Sequence, residues 1–450
     1  MTAAATGDPA GSADPVGLAG QVVELDVGPV AHGGHCVARY SGRVVFVRHT
    51  LPGERVRALV TEDSGGSYCR ADAVEVLVAA PGRVTPPCQY ARPGGCGGCD
   101  FQHVAPEAQR GLKMAVVREQ LQRLGGLTEP ELADLGLGDG TGAVAEELPG
   151  GSLGWRTRVR FAVDAGGRAG LHPHRSGDVL PIERCLIAAP GVDSLGVLQT
   201  RWPGVSAVEG VASSVGDRAV VVTPKAGRAP VPDTLDPAVA VLDAGGRGAA
   251  KPVRGHARVR ERAVDRTWFV HADGFWQVHP AAADTLAGAV TSMLEVQPGE
   301  RVWDLYGGVG LFAGALAPVA GSVTVVESGA AAVADARRNL RDLPDVTVYH
   351  ARVDAWLRHP GPAADVVVLD PPRSGAGKDV LHNVLTGADG RRRPPRRVAY
   401  VACDPAALAR DVRTARSLGW DLRAVRVFDL FPMTHHVECV ALLEPVAPTE

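Results

Sequence analysis

A cysteine near the C-terminus stands where an α/β fold presents reactive groups. The apolar run 397–402 leads directly to Cys403, and Asp404 and Pro405 then begin a helix-like stretch. Strand ends line the ligand crevice of such folds and a helix N-terminus favours a thiolate, so Cys403 is predicted to be a nucleophile. Thirty-five residues further on, Glu438 offers a carboxylate in another apolar segment. Glu438 is the candidate base that acts with this nucleophile.

A glycine-rich turn predicts a nucleotide-derived cofactor. Residues 304–310 read Asp-Leu-Tyr-Gly-Gly-Val-Gly after an apolar strand, and Gly308 lets backbone amides approach a ligand closely. Glu327 ends the next predicted strand and Asp354 follows the third. An acid at the second strand end binds the ribose of either NAD or S-adenosylmethionine, and a further acid such as Asp354 binds the adenine amino group. The turn alone leaves both cofactors open.

The tetrapeptide 370–373, Asp-Pro-Pro-Arg, favours S-adenosylmethionine and methylation of carbon. It follows a predicted strand, so Asp370 lies at the ligand edge of the sheet. Enzymes that methylate amino groups use a similar step but follow it with an aromatic residue that stacks on the base, whereas Arg373 follows here. Methylation at carbon gives Cys403 a role as nucleophile. An NAD-dependent enzyme would also need a hydride-handling partner near the glycine turn, and none is evident.

Cysteine usage indicates a reducing compartment and a cluster of ligands. The chain has eight cysteines and an N-terminus without the pattern of a signal peptide, which predicts a cytoplasmic protein. Four of the thiols are enough for an iron–sulfur cluster or a structural zinc ion, and their spacing does not separate these alternatives. The four are Cys88, Cys96, Cys99 and Cys185.

Bulk composition excludes several classes of protein. With 450 residues, 45 % hydrophobic and 22 % charged, the chain is predicted to be a soluble monomer of several domains without a membrane segment. A net charge of −3 excludes a strongly basic nucleic-acid coat but allows a local basic groove. The basic run 391–397 is interpreted either as a contact for RNA phosphates or as a solvated loop.

The elements that must position these residues form three predicted domains after a loose tail at 1–16. Glycine-separated β segments predict an N-terminal β-barrel of the oligonucleotide-binding kind over 17–80. Residues 81–262 are predicted to form a central β-rich domain with the cysteine cluster. Strands and helices alternate over 263–450, which predicts an α/β Rossmann-like methyltransferase domain with a doubly wound parallel sheet.

The barrel resembles the TRAM domain of RNA-modifying enzymes, above all in the segment 45–54. The chain as a whole resembles the RNA uracil-5-methyltransferase family, and the matching segments follow one another in one order over nearly its whole length. Besides the four cysteines, they are the segments 274–279, 304–310, 370–373, 403–405 and 431–438.

This resemblance implies a reaction and its participants. A methyl group passes from S-adenosylmethionine to carbon 5 of a uridine in RNA, Cys403 forms a covalent adduct at carbon 6, and Glu438 removes the carbon 5 proton. The residues implied to surround S-adenosylmethionine or the base are Gln277, Tyr306, Glu327, Asp354 and Asp370. Two departures from the family pattern are Leu311 and His279, and Leu311 is not expected to bind the cofactor through its side chain.

The resemblance also narrows the cluster and the substrate. It favours a 4Fe-4S cluster at the four cysteines. It favours 23S ribosomal RNA as the substrate, because transfer RNA enzymes of the family often lack both the TRAM-like domain and the cysteine set. A tRNA uracil-5-methyltransferase and a non-catalytic RNA-binding iron–sulfur protein remain as alternatives.

Overall fold

The computed structural model describes residues 17–140, 142–359 and 362–446. The predicted tail at 1–16 lies outside these residues. The described residues fall into two compact units, one that ends at Arg83 and one that begins at Val84. No helix in the described part of the chain is long and apolar enough to cross a membrane.

The N-terminal unit is a closed five-stranded barrel. Its strands alternate between buried side chains such as Val23, Leu25, Val45 and Val47 and side chains that face outward. The order is β1-β2-β3-β5-β4, and pairing of β1 with β4 closes the barrel and leaves no free edge. The strands are β1 (Val22–Val30), β2 (Cys36–Tyr40), β3 (Arg43–Arg48), β4 (Arg55–Glu62) and β5 (Tyr68–Val78).

Two helices and a short strand come next in the chain. They are α1 (Pro106–Arg123), α2 (Glu129–Asp134) and β6 (Glu146–Glu147). The buried side chains of α1, among them Val117 and Leu121, share one hydrophobic core with the C-terminal sheet. Residues 106–140 and 142–147, which the sequence assigns to the central domain, therefore pack with the C-terminal domain. The predicted boundary between residues 262 and 263 stays a prediction.

A seven-stranded sheet forms the central part of the second unit. Its order is β13-β12-β11-β10-β7-β8-β9, and only β11 and β12 pair in parallel among these described strands. A hairpin of two further strands follows. The elements are β7 (Arg158–Val163), β8 (Ala169–Leu171), β9 (Leu180–Pro181), α3 (Pro190–Asp193), β10 (Val205–Ala212), β11 (Arg218–Pro224), β12 (Ala240–Asp243), β13 (Lys251–Arg254), β14 (Arg258–Ala263) and β15 (Arg266–His271).

An eight-stranded sheet, in the order β18-β17-β16-β19-β20-β22-β21-β6, forms the C-terminal part. The strands from β18 to β20 are parallel, and β22 joins β20 in the antiparallel sense. The elements are α4 (Ala282–Leu294), β16 (Arg301–Leu305), α5 (Leu311–Leu316), β17 (Ser322–Glu327), α6 (Ala330–Asn339), β18 (Val346–His350), α7 (Val353–Leu357), β19 (Val366–Leu369), α8 (Lys378–Leu385), α9 (Gly387–Gly390), β20 (Arg397–Ala402), α10 (Pro405–Ser417), β21 (Trp420–Asp429) and β22 (Glu438–Pro445).

Both faces of this sheet are covered, as the predicted α/β fold requires. Along β16, Val302 packs into one hydrophobic core and its neighbour Trp303 into the other. The five parallel strands end at one edge, which is where α/β sheets bind ligands. The predicted fold class, a Rossmann-like domain with a barrel and a central β-rich part, is confirmed.

Candidate functional site

One cavity of about 1390 Å³ lies at the carboxyl edge of the parallel strands. This volume exceeds what one small molecule usually occupies, so the cavity has room for a cofactor and a nucleotide together. Eight residues predicted from the sequence to bind or react line it. They are Gln277, Tyr306, Gly308, Glu327, Asp354, Asp370, Cys403 and Glu438. The structure thus gathers side chains that are up to 161 positions apart in the chain.

The glycine turn after β16 leaves no space for a side chain at two of its positions, Gly307 and Gly310. A Cβ atom on Gly307 would lie 2.6 Å from the side chain of Val325, and one on Gly310 would lie 2.6 Å from that of Leu340. Tyr306 has a φ of 65°, a strained value for a residue other than glycine. Strain of this kind is typical of functional sites, and Tyr306 lines the cavity.

Two acids predicted to bind the cofactor have different surroundings. Glu327 ends β17 and accepts hydrogen bonds from the backbone amides of Gly308, at 3.1 Å, and Gly329. Asp354 lies in the first turn of α7 and pairs with Arg352 at 3.0 Å, which lowers the pKa of its carboxyl group. Both carboxylates are therefore held in place before any ligand arrives.

Cys403 follows β20 and is half-buried in the cavity wall. The N-cap of α10 is Asp404, whose side chain accepts a hydrogen bond of 2.7 Å from the amide of Ala407. Burial, and then the neighbouring Glu438 carboxyl, raise the pKa of Cys403 to about 11. The expectation that the helix N-terminus favours a thiolate is therefore wrong for the free protein, because burial and nearby carboxyl groups outweigh it. At neutral pH Cys403 is a thiol.

Glu438 is the first residue of β22 and is almost fully buried. Burial, followed by the charge of Asp370, raises the pKa of Glu438 well above its usual value, while Arg373 opposes this shift. Arg373 acts on the pKa of Cys403 in the same direction. No catalytic role was predicted for Arg373, although it lies in the Asp-Pro-Pro-Arg motif. In the structure, the positive charge of Arg373 lowers the pKa of both Cys403 and Glu438.

Helix α1 fixes the loop that precedes Glu438, which we call the C-terminal loop (residues 431–437). The buried ammonium group of Lys113 donates to the Asp429 carboxylate at 2.5 Å and to the Phe431 carbonyl oxygen at 3.0 Å. The side-chain oxygen of Gln109 accepts from the Met433 amide at 2.8 Å. These anchors were not predicted, because no local pattern links helix α1 to the end of the chain.

The four predicted ligand cysteines lie in one neighbourhood. Cys185 raises the pKa of both Cys96 and Cys99, and burial is the larger cause for each. Gly97 lets the segment that carries Cys96 and Cys99 lie close to the backbone of His174, since a Cβ atom on Gly97 would lie 2.6 Å from the His174 backbone nitrogen. Within residues 17–140, 142–359 and 362–446, however, no three His, Cys, Asp or Glu side chains are arranged to hold a metal ion. The donor type fits a cluster, but the present arrangement of side chains does not form a complete ligand set.

The cysteine segment also contacts the C-terminal loop. Asp100, which directly follows Cys99, bonds to the Nδ1 atom of His435 at 2.6 Å. Met433 packs in a small core with Trp155, against which Cys99 is also packed. The cysteine neighbourhood thus supports the loop that leads into Glu438.

Strand β7 and the residue before it hold the segment that carries Gln277. Both the amide and the hydroxyl group of Thr157 donate to the Val278 carbonyl oxygen at 2.9 Å. The buried guanidinium group of Arg158 donates to the Gly274 carbonyl oxygen at 3.1 Å. Gln277 therefore lies between two fixed points. Arg158 itself is buried beneath this segment.

Phe275 and His279, which belong to the segment 274–279, have opposite exposure. Phe275 is 74 % exposed and lines the cavity, which is unusual for a large apolar side chain. His279, a departure from the family pattern, is buried and stacks on Trp155 with 5.9 Å between ring centroids. Burial lowers the pKa of His279 to about 4, so this ring is neutral.

The other departure from the family pattern, Leu311, is buried at the start of α5 and lines the cavity with an apolar side chain.

The basic run 391–397 is bound to the protein itself. Arg392 donates to the carbonyl oxygen of Leu357, and Arg396 pairs with Glu300 at 2.7 Å. Arg397 begins β20, at the opposite end of the strand from Cys403. Protein carboxylates and carbonyl groups engage Arg392, Arg396 and Arg397, whereas Arg391 and Arg393 remain exposed. Both interpretations of the run, a contact for RNA phosphates and a solvated loop, stay predictions.

Each of the two units contains a match to a known protein family. The family model for the TRAM domain matches residues 18–74. The family model for tRNA (uracil-5-)-methyltransferase matches residues 362–446, which include Asp370, Cys403 and Glu438.

Similar proteins cover almost the full length of the chain. An uncharacterized RNA methyltransferase of Streptomyces coelicolor is 53 % identical over 96 % of this chain and 95 % of its own. A 23S rRNA (uracil(1939)-C(5))-methyltransferase, RlmD, of Pseudomonas putida is 32 % identical over 94 % of each chain. The solved structure of the Pyrococcus abyssi tRNA (uracil-54, C5)-methyltransferase with S-adenosyl-L-homocysteine matches with a TM-score of 0.67 at 21 % identity, over 93 % of this chain and 99 % of that one.

Proposed function

The chain belongs to the RNA uracil-5-methyltransferase family, and on that premise we propose that it transfers a methyl group from S-adenosylmethionine to carbon 5 of a uridine in 23S ribosomal RNA. The observation that carries the proposal is the single cavity lined by Cys403, Glu438 and the cofactor candidates. Support for ribosomal RNA comes from the Pseudomonas putida relative, which spans both units of this chain.

Cys403 is proposed to start the reaction, because carbon 5 of uracil is too weakly nucleophilic to take a methyl group unaided. Its sulfur forms a bond to carbon 6, and the electrons of the C5–C6 double bond move toward oxygen 4 as an enolate. Carbon 5 then takes the methyl group that S-adenosylmethionine supplies. Glu438 removes the proton from carbon 5, the C–S bond breaks, and the double bond and the thiolate are restored.

This sequence requires both reactive groups to lose their protons after the substrates bind. Burial raises the pKa of both Cys403 and Glu438 in the free protein and so favours their protonated forms. Arg373 lowers both pKa values and is the protein group that favours ionisation. A base buried in a duplex cannot reach Cys403, so the target uridine must be unpaired or turned out of its stack.

A uridine in 23S ribosomal RNA is expected to lose its 5-methyl group when the gene is deleted. Mass mapping of RNA from cells with and without the gene measures this, and the uridine that corresponds to position 1939 is the first to inspect. Restoration by the wild-type gene, but not by a Cys403→Ala copy, is the control. Loss of 5-methyluridine from transfer RNA alone would identify transfer RNA as the substrate. Unchanged 5-methyluridine in all RNA would refute the proposal.

The four cysteines are proposed to hold a 4Fe-4S cluster, and their shared neighbourhood supports this. Such a cluster needs four thiolates, and it would tie the segment before helix α1 to the turn at Cys185. Protein purified without air is expected to be brown, with about four irons per chain. A Cys99→Ser variant should lose the iron, whereas Cys69→Ser, which changes a core thiol of the barrel, should keep it. Stoichiometric zinc without iron would contradict the assignment.

A further inference from the structure

His436 of the C-terminal loop lines the reaction cavity, and no step of the proposed reaction uses it. Its neighbour Val437 is buried in the hydrophobic core of the C-terminal sheet, while the residues on either side of Val437, His436 and Glu438, both line the cavity together with Cys403. Residues two positions apart in an extended segment point to the same side. His436 is therefore presented to the same space as the nucleophile and the proposed base.

The surroundings of His436 fix the orientation of its ring. The centroid of the His435 ring lies 4.1 Å away, and that of the Phe431 ring lies 5.9 Å away in an edge-to-face arrangement. The His436 backbone amide donates to the Thr434 hydroxyl oxygen at 3.2 Å, and this hydroxyl donates to the Phe431 carbonyl oxygen at 2.8 Å. The ring is thus held between two others, in a loop that is itself closed by hydrogen bonds.

The ring nitrogens of His436 are nevertheless available to a ligand. In the described part of the chain, neither nitrogen makes a hydrogen bond, whereas the Nδ1 atom of His435 is bonded to Asp100 at 2.6 Å. Polar groups inside proteins almost always have a partner. A polar ring that is packed in place, faces the cavity and has no protein partner is expected to find its partner in the substrate.

The ring of His436 is neutral at physiological pH. Burial lowers its pKa to about 3, and the adjacent His435 ring and the Arg373 guanidinium group act in the same direction, while Asp100 opposes them. A neutral imidazole carries one N–H group and one unprotonated nitrogen. It can therefore donate a hydrogen bond to the substrate without adding a positive charge to the cavity.

The proposed reaction creates a charge that needs such a donor. When the Cys403 sulfur bonds to carbon 6 of uracil, the π electrons of the C5–C6 bond move to oxygen 4, which becomes an enolate oxygen. A donor that is already oriented toward this oxygen stabilises the charge without any rearrangement. Arg373 supplies positive charge nearby, but its side chain is exposed, so water and ions screen it.

We propose that the ring N–H of His436 donates a hydrogen bond to oxygen 4 of the target uracil and stabilises the enolate. The inference rests on the proposed function, because it concerns the same uridine. The proton stays on the ring throughout. The C–S bond forms, the π electrons reach oxygen 4, and they return to carbon 5 as it takes the methyl group. His436 is then a catalytic residue that touches the base, beside Cys403 and Glu438.

Loss of this donor is expected to slow the chemical step. His436→Leu should lower kcat for RNA methylation by about a hundredfold, the usual effect of removing one donor to an oxyanion. The ratio kcat/KM should fall by about the same factor, because the hydrogen bond becomes strong only as the enolate forms. Binding of S-adenosylmethionine should stay unchanged, since the ring acts on the base, and calorimetry with the cofactor also reports whether the variant is folded.

The test compares two RNA substrates that differ in one atom. Both are synthetic RNAs with the sequence around the uridine that mass mapping identifies, and in one of them this uridine is replaced by 4-thiouridine, whose sulfur is a weak acceptor. The factor lost on replacing His436 by leucine is measured on each RNA, so the intrinsic reactivities of the two bases cancel. This factor should be about tenfold smaller for the 4-thiouridine RNA, as for any two groups that interact directly.

His435→Leu is the matched control, because it removes the neighbouring ring of the same loop, which is bonded to Asp100 and not free for the base. Any loss of activity in this variant should be by the same factor on both RNAs. His436→Gln covers the case in which His436→Leu does not fold. Glutamine keeps an N–H donor, so this variant should retain more than about a tenth of the wild-type kcat on the uridine RNA.

Equal losses on the two RNAs, or an unchanged kcat, in folded His436→Leu would overturn the inference, as would a hundredfold loss in His436→Gln that is the same on both RNAs. If the wild-type protein methylates the uridine RNA while these results are found, the proposed function stands and the inference alone fails. If the wild-type protein methylates no RNA, the proposed function fails and the inference fails with it.

Discussion

Replacing Cys403 by alanine is expected to abolish methylation, by a factor on the order of 10⁶, the loss seen when a covalent nucleophile is removed. The sulfur acts on the base and not on the cofactor, so binding of S-adenosylmethionine should remain nearly intact. Titration calorimetry with the cofactor and transfer of labelled methyl groups to RNA measure the two effects separately.

Stability should change little in this variant. Cys403 is half-buried and its side chain makes no hydrogen bond to the part of the chain that the structure describes, so the melting temperature is expected to stay within a few degrees. Methyl transfer at the wild-type rate by Cys403→Ala would exclude the covalent mechanism and indicate that carbon 5 is methylated without a cysteine adduct.

Replacing Glu438 by glutamine is expected to have a different result, the accumulation of a covalent protein–RNA adduct. Addition at carbon 6 and methyl transfer do not require the Glu438 carboxylate, but elimination does if this group removes the carbon 5 proton. Because burial raises the pKa of Glu438 and favours its neutral form, glutamine resembles that form and the fold should be preserved. Denaturing electrophoresis with labelled RNA shows the adduct as a band of lower mobility.

A Glu438→Gln/Cys403→Ala double variant is the control, since it should give no such band. Normal turnover by Glu438→Gln without a trapped adduct would remove Glu438 from the mechanism and assign proton removal to another group or to water. An inactive Glu438→Gln protein without an adduct would instead assign Glu438 to an earlier step, addition or methyl transfer.

The fold of the C-terminal domain follows from local patterns in the sequence. The apolar runs at 301–305, 322–326 and 397–402 predict the strands β16, β17 and β20, and the structure confirms them. Patterns of this kind do not report which helices cover a sheet. Helix α1 lies in the stretch assigned to the central domain but packs with the C-terminal sheet, because its hydrogen-bond partners lie 316 and 324 positions further along the chain.

The site shows the same division between what is local and what is not. Cys403 and Glu438 were identifiable because strand ends and motifs are visible in the sequence. Their protonation was not, because it depends on burial and on carboxyl groups such as Asp370 that come close only in the folded chain. The role of Arg373 was missed for the same reason.

The anchors of the C-terminal loop set the order in which this protein can be completed during synthesis. Lys113 and Asp429 are 316 positions apart, so the ribosome releases helix α1 long before its ion-pair partner exists. A buried ammonium group without a carboxylate is costly, and the helix therefore cannot dock in its final place until Asp429 has been synthesised. The catalytic centre closes only after Asp429 and the strand that begins at Glu438 have left the ribosome.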